Sequence, residues 1–150
     1  MGSCYCASAE EQAKNPRAQR VMREIARGDE SAFDFMWSFW CFQHVLDDLV
    51  DKDSQVQGAD VARELCSFVI TLSTNTFYLT HKSSLLPLLV LACDRWVQGD
   101  ALAKSPDPKV RLASRVVACG DIDLFSMVAF LVGGWDHMQA MAPQIRRYDL

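Results

Sequence analysis

The chain has 150 residues, half of them hydrophobic and 23% charged, with a net charge of −4. This is the size of one domain with enough apolar material for a real core. The negative balance excludes a general affinity for nucleic acid, and no unbroken apolar run reaches the roughly 18 residues of a transmembrane helix.

The N-terminus lacks the basic and apolar regions of a signal peptide. The six cysteines, Cys4, Cys6, Cys41, Cys66, Cys93 and Cys119, are scattered, and four of them sit within apolar helical pattern. There Cys behaves as a small hydrophobe. The expectation is a cytoplasmic protein without disulfides. No segment alternates like a strand, so the chain reads as an all-α, single-domain bundle of five to six helices over residues 1–150. Residues 1–9 and 144–150 read as loose termini.

A first helix runs from about Pro16 to Arg27, capped by Asn15. Val21, Met22 and Ile25 form its apolar stripe, and Arg17, Arg20, Arg23 and Arg27 a basic face. Such a face is usually solvated, or it can meet phosphate or an acidic partner. Gly28 ends this helix and Asp29 to Ser31 caps the next, which spans about 31–52. At 100° per residue, Phe33, Trp37, Trp40, Cys41, His44, Asp47, Asp48 and Asp51 share one side of it. Phe35, Phe39, Phe42, Val45, Leu46, Leu49 and Val50 share the other. A helix apolar on two sides lies buried between neighbours, so this one is expected to be central.

A third helix is expected over about 59–79, with Val61, Leu65, Phe68, Val69, Leu72, Thr76 and Leu79 facing the core. Its many hydroxyl residues predict a kink or early stop near Asn75. A fourth is expected over about 84–101, capped by Ser83 or Ser84. Ser105-Pro106-Asp107-Pro108 breaks the chain and starts a fifth, to about Ala118. A sixth apolar helix begins at Asp121 and reaches about Val132, where Gly133-Gly134 loosens the backbone. Asp121 and Asp123 fit capping and first-turn charge.

The chemistry concentrates where the second helix ends. His44, Asp48 and Asp51 are spaced i, i+4, i+7, with Asp47 beside them and Asp53 just beyond. Groups so spaced can hold a divalent ion, and carboxylates prefer Mg²⁺ or Mn²⁺. Acid at a helix C-terminus opposes the helix dipole by about 0.3–1 kcal/mol per charge, so the cluster asks for a cation or for solvent. Asp94 follows nine largely apolar residues and is expected to be buried. Asn75, His81, Asp136 and His137 are further candidates for such a site, although a His beside Trp is more often packed core. Arg95 and Lys82 are candidate phosphate contacts, with Lys52 beside the acids. There is no nucleophile elbow and no Gly-rich phosphate loop.

Asp47-Asp48-Leu49-Val50-Asp51 resembles the DDxxD motif of class I isoprenoid synthases. That resemblance implies an all-α enzyme in which Asp47, Asp48 and Asp51 hold a prenyl diphosphate through Mg²⁺. Asp48-x-x-Asp51 also resembles, with Asp for Glu, the paired acids of small all-α nucleotide pyrophosphohydrolases. Either likeness implies a diphosphate or nucleotide ligand. The other expectation is a non-catalytic interaction module or homo-oligomer, in which part of the four Trp and eight Phe forms an interface.

Overall fold

The computed structural model describes residues 15–51 and 56–146, without the side chains of Asp51 and Arg115. Among the described residues there are six α-helices and no strand, as the composition predicts. They are α1 Pro16–Ala26, α2 Glu30–Asp51, α3 Gly58–Thr74, α4 Thr76–Ala103, α5 Pro108–Ala118 and α6 Gly120–Ile145. The chain divides into two compact units, the first reaching Thr80 and the second beginning at His81. His81 departs from helical geometry (φ −109°, ψ 17°), so α4 is kinked where the units meet along the chain.

In the first unit α2 is the central element and packs against both α1 and α3. Local signals start α1 and α2. The Asn15 side chain accepts from Ala18 N at 3.2 Å, and Asp29 Oδ1 accepts from Ala32 N at 2.9 Å. The buried face of α1 is Ala18, Val21, Met22, Ile25 and Ala26. From Phe35 to Trp40 every residue of α2 is buried, which is the outcome expected of a two-sided apolar helix.

The third helix ends early at Asn75, as its hydroxyl residues predict, but the next helix starts sooner than expected. Helix α3 stops at Thr74, and α4 starts at Thr76 rather than at Ser84. Asn75 is the reason. Its backbone N–H closes α3 on Thr71 O, its Oδ1 accepts from Tyr78 N at 2.8 Å, and its Nδ2 donates to Ser31 O at 2.8 Å. The Ser31 hydroxyl accepts from Phe77 N at 3.0 Å. One residue therefore ends a helix, caps the next and ties both to the start of α2.

The buried face of α3 also lies about a quarter-turn from the expected one. Leu65, Val69 and Leu79 are exposed, while Glu64, Ser67 and Phe68 are buried. The facing side chains of α2 set this register. Phe68 packs on Phe39 and Phe42 with ring centroids 5.7 and 5.4 Å away, and Thr71 Oγ1 donates to Ser38 Oγ at 3.0 Å. Aromatic packing and a satisfied hydroxyl pair outweigh the aliphatic count of the other face.

In the second unit the contacts run through small residues. A Cβ on Gly99 would lie 2.6 Å from Ala118 Cβ, and one on Gly120 would lie 2.6 Å from Ala92 Cα. Glycine lets α4 approach the end of α5 and the start of α6 at backbone distance. Leu85, Leu89 and Ala92 of α4 and Leu124, Phe125, Val128 and Ala129 of α6 are buried. Arg95 pairs with Asp123 and Lys104 with Asp100. Helix α6 continues past the expected end near Val132 to Ile145, with a break at Gly134, whose φ of 74° suits glycine.

Candidate functional site

The acid end of α2 grows out of a ladder of stacked rings. Arg23 lies 4.0 Å over the Phe33 ring, Phe33 stacks on Trp37, Trp37 on Trp40 at 4.8 Å, and Trp40 meets His44 at 3.7 Å. The spacing of the four rings along one helix face makes the ladder. Trp40 is buried, and its indole N–H has no acceptor among the described residues, so packing holds it rather than hydrogen bonding. His44 Nδ1 donates to Trp40 O at 3.1 Å, which leaves Nε2 as the ring nitrogen that can take a ligand.

Beyond the ladder Asp47 is exposed and Asp48 half-buried, and the last turn of α2 contains no basic residue. The Asp51 side chain and Asp53, like Lys52, lie outside the described residues. Among the described residues no three His, Cys, Asp or Glu side chains gather as a group able to hold a metal ion. Asp47 thus reaches water, and Asp48 partly so, where the packed stripe runs out.

Of the other candidates, Asn75 belongs to the first unit and His81, Lys82, Asp94, Arg95, Asp136 and His137 to the second. Asp94 is exposed, not buried as its apolar run suggests. It stands nine residues after the buried Leu85, which is half a turn around the helix and so on the opposite face. Arg95 is engaged with Asp123, and Lys82 is exposed. Both ends of the Asn75 amide are committed to the helix joint. His81 sits at the kink of α4. His137 lies against Gly133, where a Cβ would come within 2.6 Å of the imidazole Cγ, and Asp136 is exposed. On α1, Arg20 faces Glu24 at 3.9 Å and Arg23 pairs with Glu30 at 3.2 Å, so the basic face is partly neutralised. An open depression there is lined by Pro16, Gln19, Arg20, Arg23 and Glu24.

Two features escape a reading of the sequence. Glu64 is only 2% exposed on α3. Its spacing of four from Phe68 and seven from Thr71 was the available signal. The second is a run of outward-facing apolar residues on α4: Leu86, Val90, Cys93 and Val97 are all exposed. Their spacing of four, three and four puts them on one face, about 90–110° from the buried face of Leu85, Leu89 and Ala92.

The segment Pro108–Ile145 contains an 18-residue window with a mean hydropathy of 1.9, 28% of it buried, which is long and apolar enough to cross a bilayer by length and composition. The expectation of no span overlooked this segment, because its few polar residues interrupt the apolar run. Its helix is broken at Cys119 and Gly134. The unbroken part, Gly120 to Gly133, is roughly 21 Å long, against a hydrocarbon core of about 30 Å.

No protein-family model matches the chain, and no curated protein or solved structure is detectably similar to it.

Proposed function

We propose that this chain is a helical interaction module that associates with a second copy of itself through α4. The observation that supports this is the exposed stripe Leu86, Val90, Cys93 and Val97, in which Val90 is 61% and Val97 58% exposed. Contiguous exposed apolar surface on a soluble helix marks a partner face. The spacing of the stripe reads the same in both directions. Two antiparallel copies therefore set Leu86 of one against Val97 of the other, and Val90 against Cys93, as a two-fold symmetric interface requires. The stripe lies wholly after the kink at His81. Sedimentation equilibrium should find a dimer of the wild type and a monomer of Val90→Asp, both folded by circular dichroism. A wild type that stays monomeric at every concentration rejects the reading. Oxidised Val90→Cys should form an inter-chain disulfide with Cys93, which tests the antiparallel direction.

A second reading has one supporting observation, the acids in a last helical turn that contains no base. In it Mg²⁺ or Mn²⁺ at Asp47, Asp48 and Asp51, with His44 Nε2 nearby, receives a diphosphate or nucleotide. The second acidic motif of the isoprenoid synthases has no counterpart in the chain, so the self-association reading stands first. Millimolar Mg²⁺ should raise the Tm of the wild type by linkage and leave Asp48→Asn unmoved. An equal response in both proteins rejects the metal site.

A further inference from the structure

Helix α5 carries two strongly exposed apolar residues on one outer face. At 100° per residue Leu112 and Val116 share one side of it, and Ser114 lies on the other. The structure buries Ser114, whose hydroxyl donates to Arg111 O at 2.6 Å. It leaves Leu112 72% and Val116 78% exposed, more than any other large apolar side chain among the described residues. Val110 and Val117 lie on the Ser114 side and are half-buried, so α5 has an inner apolar side and a second, outer one.

The charge around that face has one sign. Between Pro108 and Ala118 there are three bases, Lys109, Arg111 and Arg115, and no acid. Lys109 and Arg111 are exposed; Lys109 lies about 40° from the middle of the Leu112–Val116 face and Arg111 about 120° from it. Neither is in an ion pair among the described residues; Arg111 donates to Ser105 O and Pro106 O, which uses N–H groups without cancelling charge. An apolar ridge bordered by cations is complementary to an anionic lipid surface, where the ridge enters the acyl boundary and the cations meet the headgroups. An acidic protein helix would match the same charge. The continuation of the apolar surface favours lipid: an 18-residue window within Pro108–Ile145 reaches a mean hydropathy of 1.9 with only 28% of it buried, and Phe130 is 43% and Trp135 63% exposed on either side of Gly133-Gly134.

We propose that α5 is a membrane-surface helix that lays Leu112 and Val116 into an anionic bilayer without crossing it. The proposal is independent of self-association through α4. The test is flotation of the full chain with phosphatidylcholine vesicles and with vesicles containing phosphatidylserine. The wild type should float with the anionic vesicles and be released by high salt. Leu112→Ser with Val116→Ser, both at exposed positions, should abolish flotation while circular dichroism stays unchanged. Lys109→Gln with Arg111→Gln should weaken it by roughly 30-fold, about fivefold per cation. Val90→Asp should float as the wild type does. Failure of the wild type to bind anionic vesicles overturns the proposal, as does flotation that the Leu112→Ser, Val116→Ser protein retains.

Discussion

In the first unit the bulky side chains point inward, and in the second the smallest residues do much of the joining. Around α2, Phe33, Phe35, Trp37, Phe39 and Trp40 are buried, and Phe35 meets Phe77 and Tyr78 with ring centroids 6.4 and 5.4 Å away. Around α4 of the second unit, Gly99 and Gly120 meet Ala118 and Ala92. Backbones that approach so closely cannot interpose large side chains, so Leu86, Val90, Val97, Leu112, Val116 and Trp135 are left on the surface. The first unit leaves Leu65, Val69, Ile70 and Leu79 outside as well, but the most exposed apolar side chains, Val116, Leu112, Trp135 and Val90, belong to the second. That is why the proposed partner surfaces fall in the second.

The largest expected effect breaks the aromatic side of this contrast. Trp40→Ala removes the middle of the ring ladder and should cost about 3–5 kcal/mol, read from urea unfolding. A domain stable by about 5–15 kcal/mol would be left marginal. Trp40→Phe keeps a ring and removes the unpaired N–H, and should cost clearly less. Equal losses in the two variants would mean that the ladder is not what holds α2.

An intermediate effect is expected on the small-residue side. In Gly120→Ala the added Cβ meets the Ala92 backbone at 2.6 Å, so the helices must part. A loss of about 1–3 kcal/mol is expected, with faster hydrogen exchange in α4 and α6 than in α1 and α2. A neutral or stabilising Gly120→Ala would show that the close approach is not a requirement of the second unit.

The smallest effect is electrostatic and belongs to the first unit. Burial raises the Asp34 carboxyl above 3.8, Glu30 adds to the rise, and Arg23 opposes it. The folded state thus holds that proton more tightly than the unfolded chain does. Stability falls as pH rises from about 3.8 through the raised value, and the cost is fully present above it. Asp34→Asn should be modestly more stable than the wild type at neutral pH, and the difference should vanish below the unfolded value. A constant difference at all pH values would assign the effect to packing.

Some of this protein can be read from the sequence alone. The caps at Asn15, Asp29 and Asp107 and the prolines that start α1 and α5 act within three or four residues, so local pattern suffices to place them. The all-α class and the centrality of α2 also follow from periodicity, since a helix apolar on both sides has nowhere to go but between two others. The acidic cluster was visible too, but whether its members converge was not, because convergence depends on groups from other elements. Which face each helix covers was decided only by tertiary structure. On α3 the aliphatic count chose Leu65 and Val69, while the rings of Phe39 and Phe42 and the Ser38 hydroxyl on the neighbouring helix chose Glu64, Phe68 and Thr71. On α4 and α5 periodicity named no buried face; glycine contacts brought other faces together and left Val90, Val97, Leu112 and Val116 in water. Periodicity reports that a helix has an apolar side; only the shape and hydrogen-bonding needs of the partner determine which side is buried.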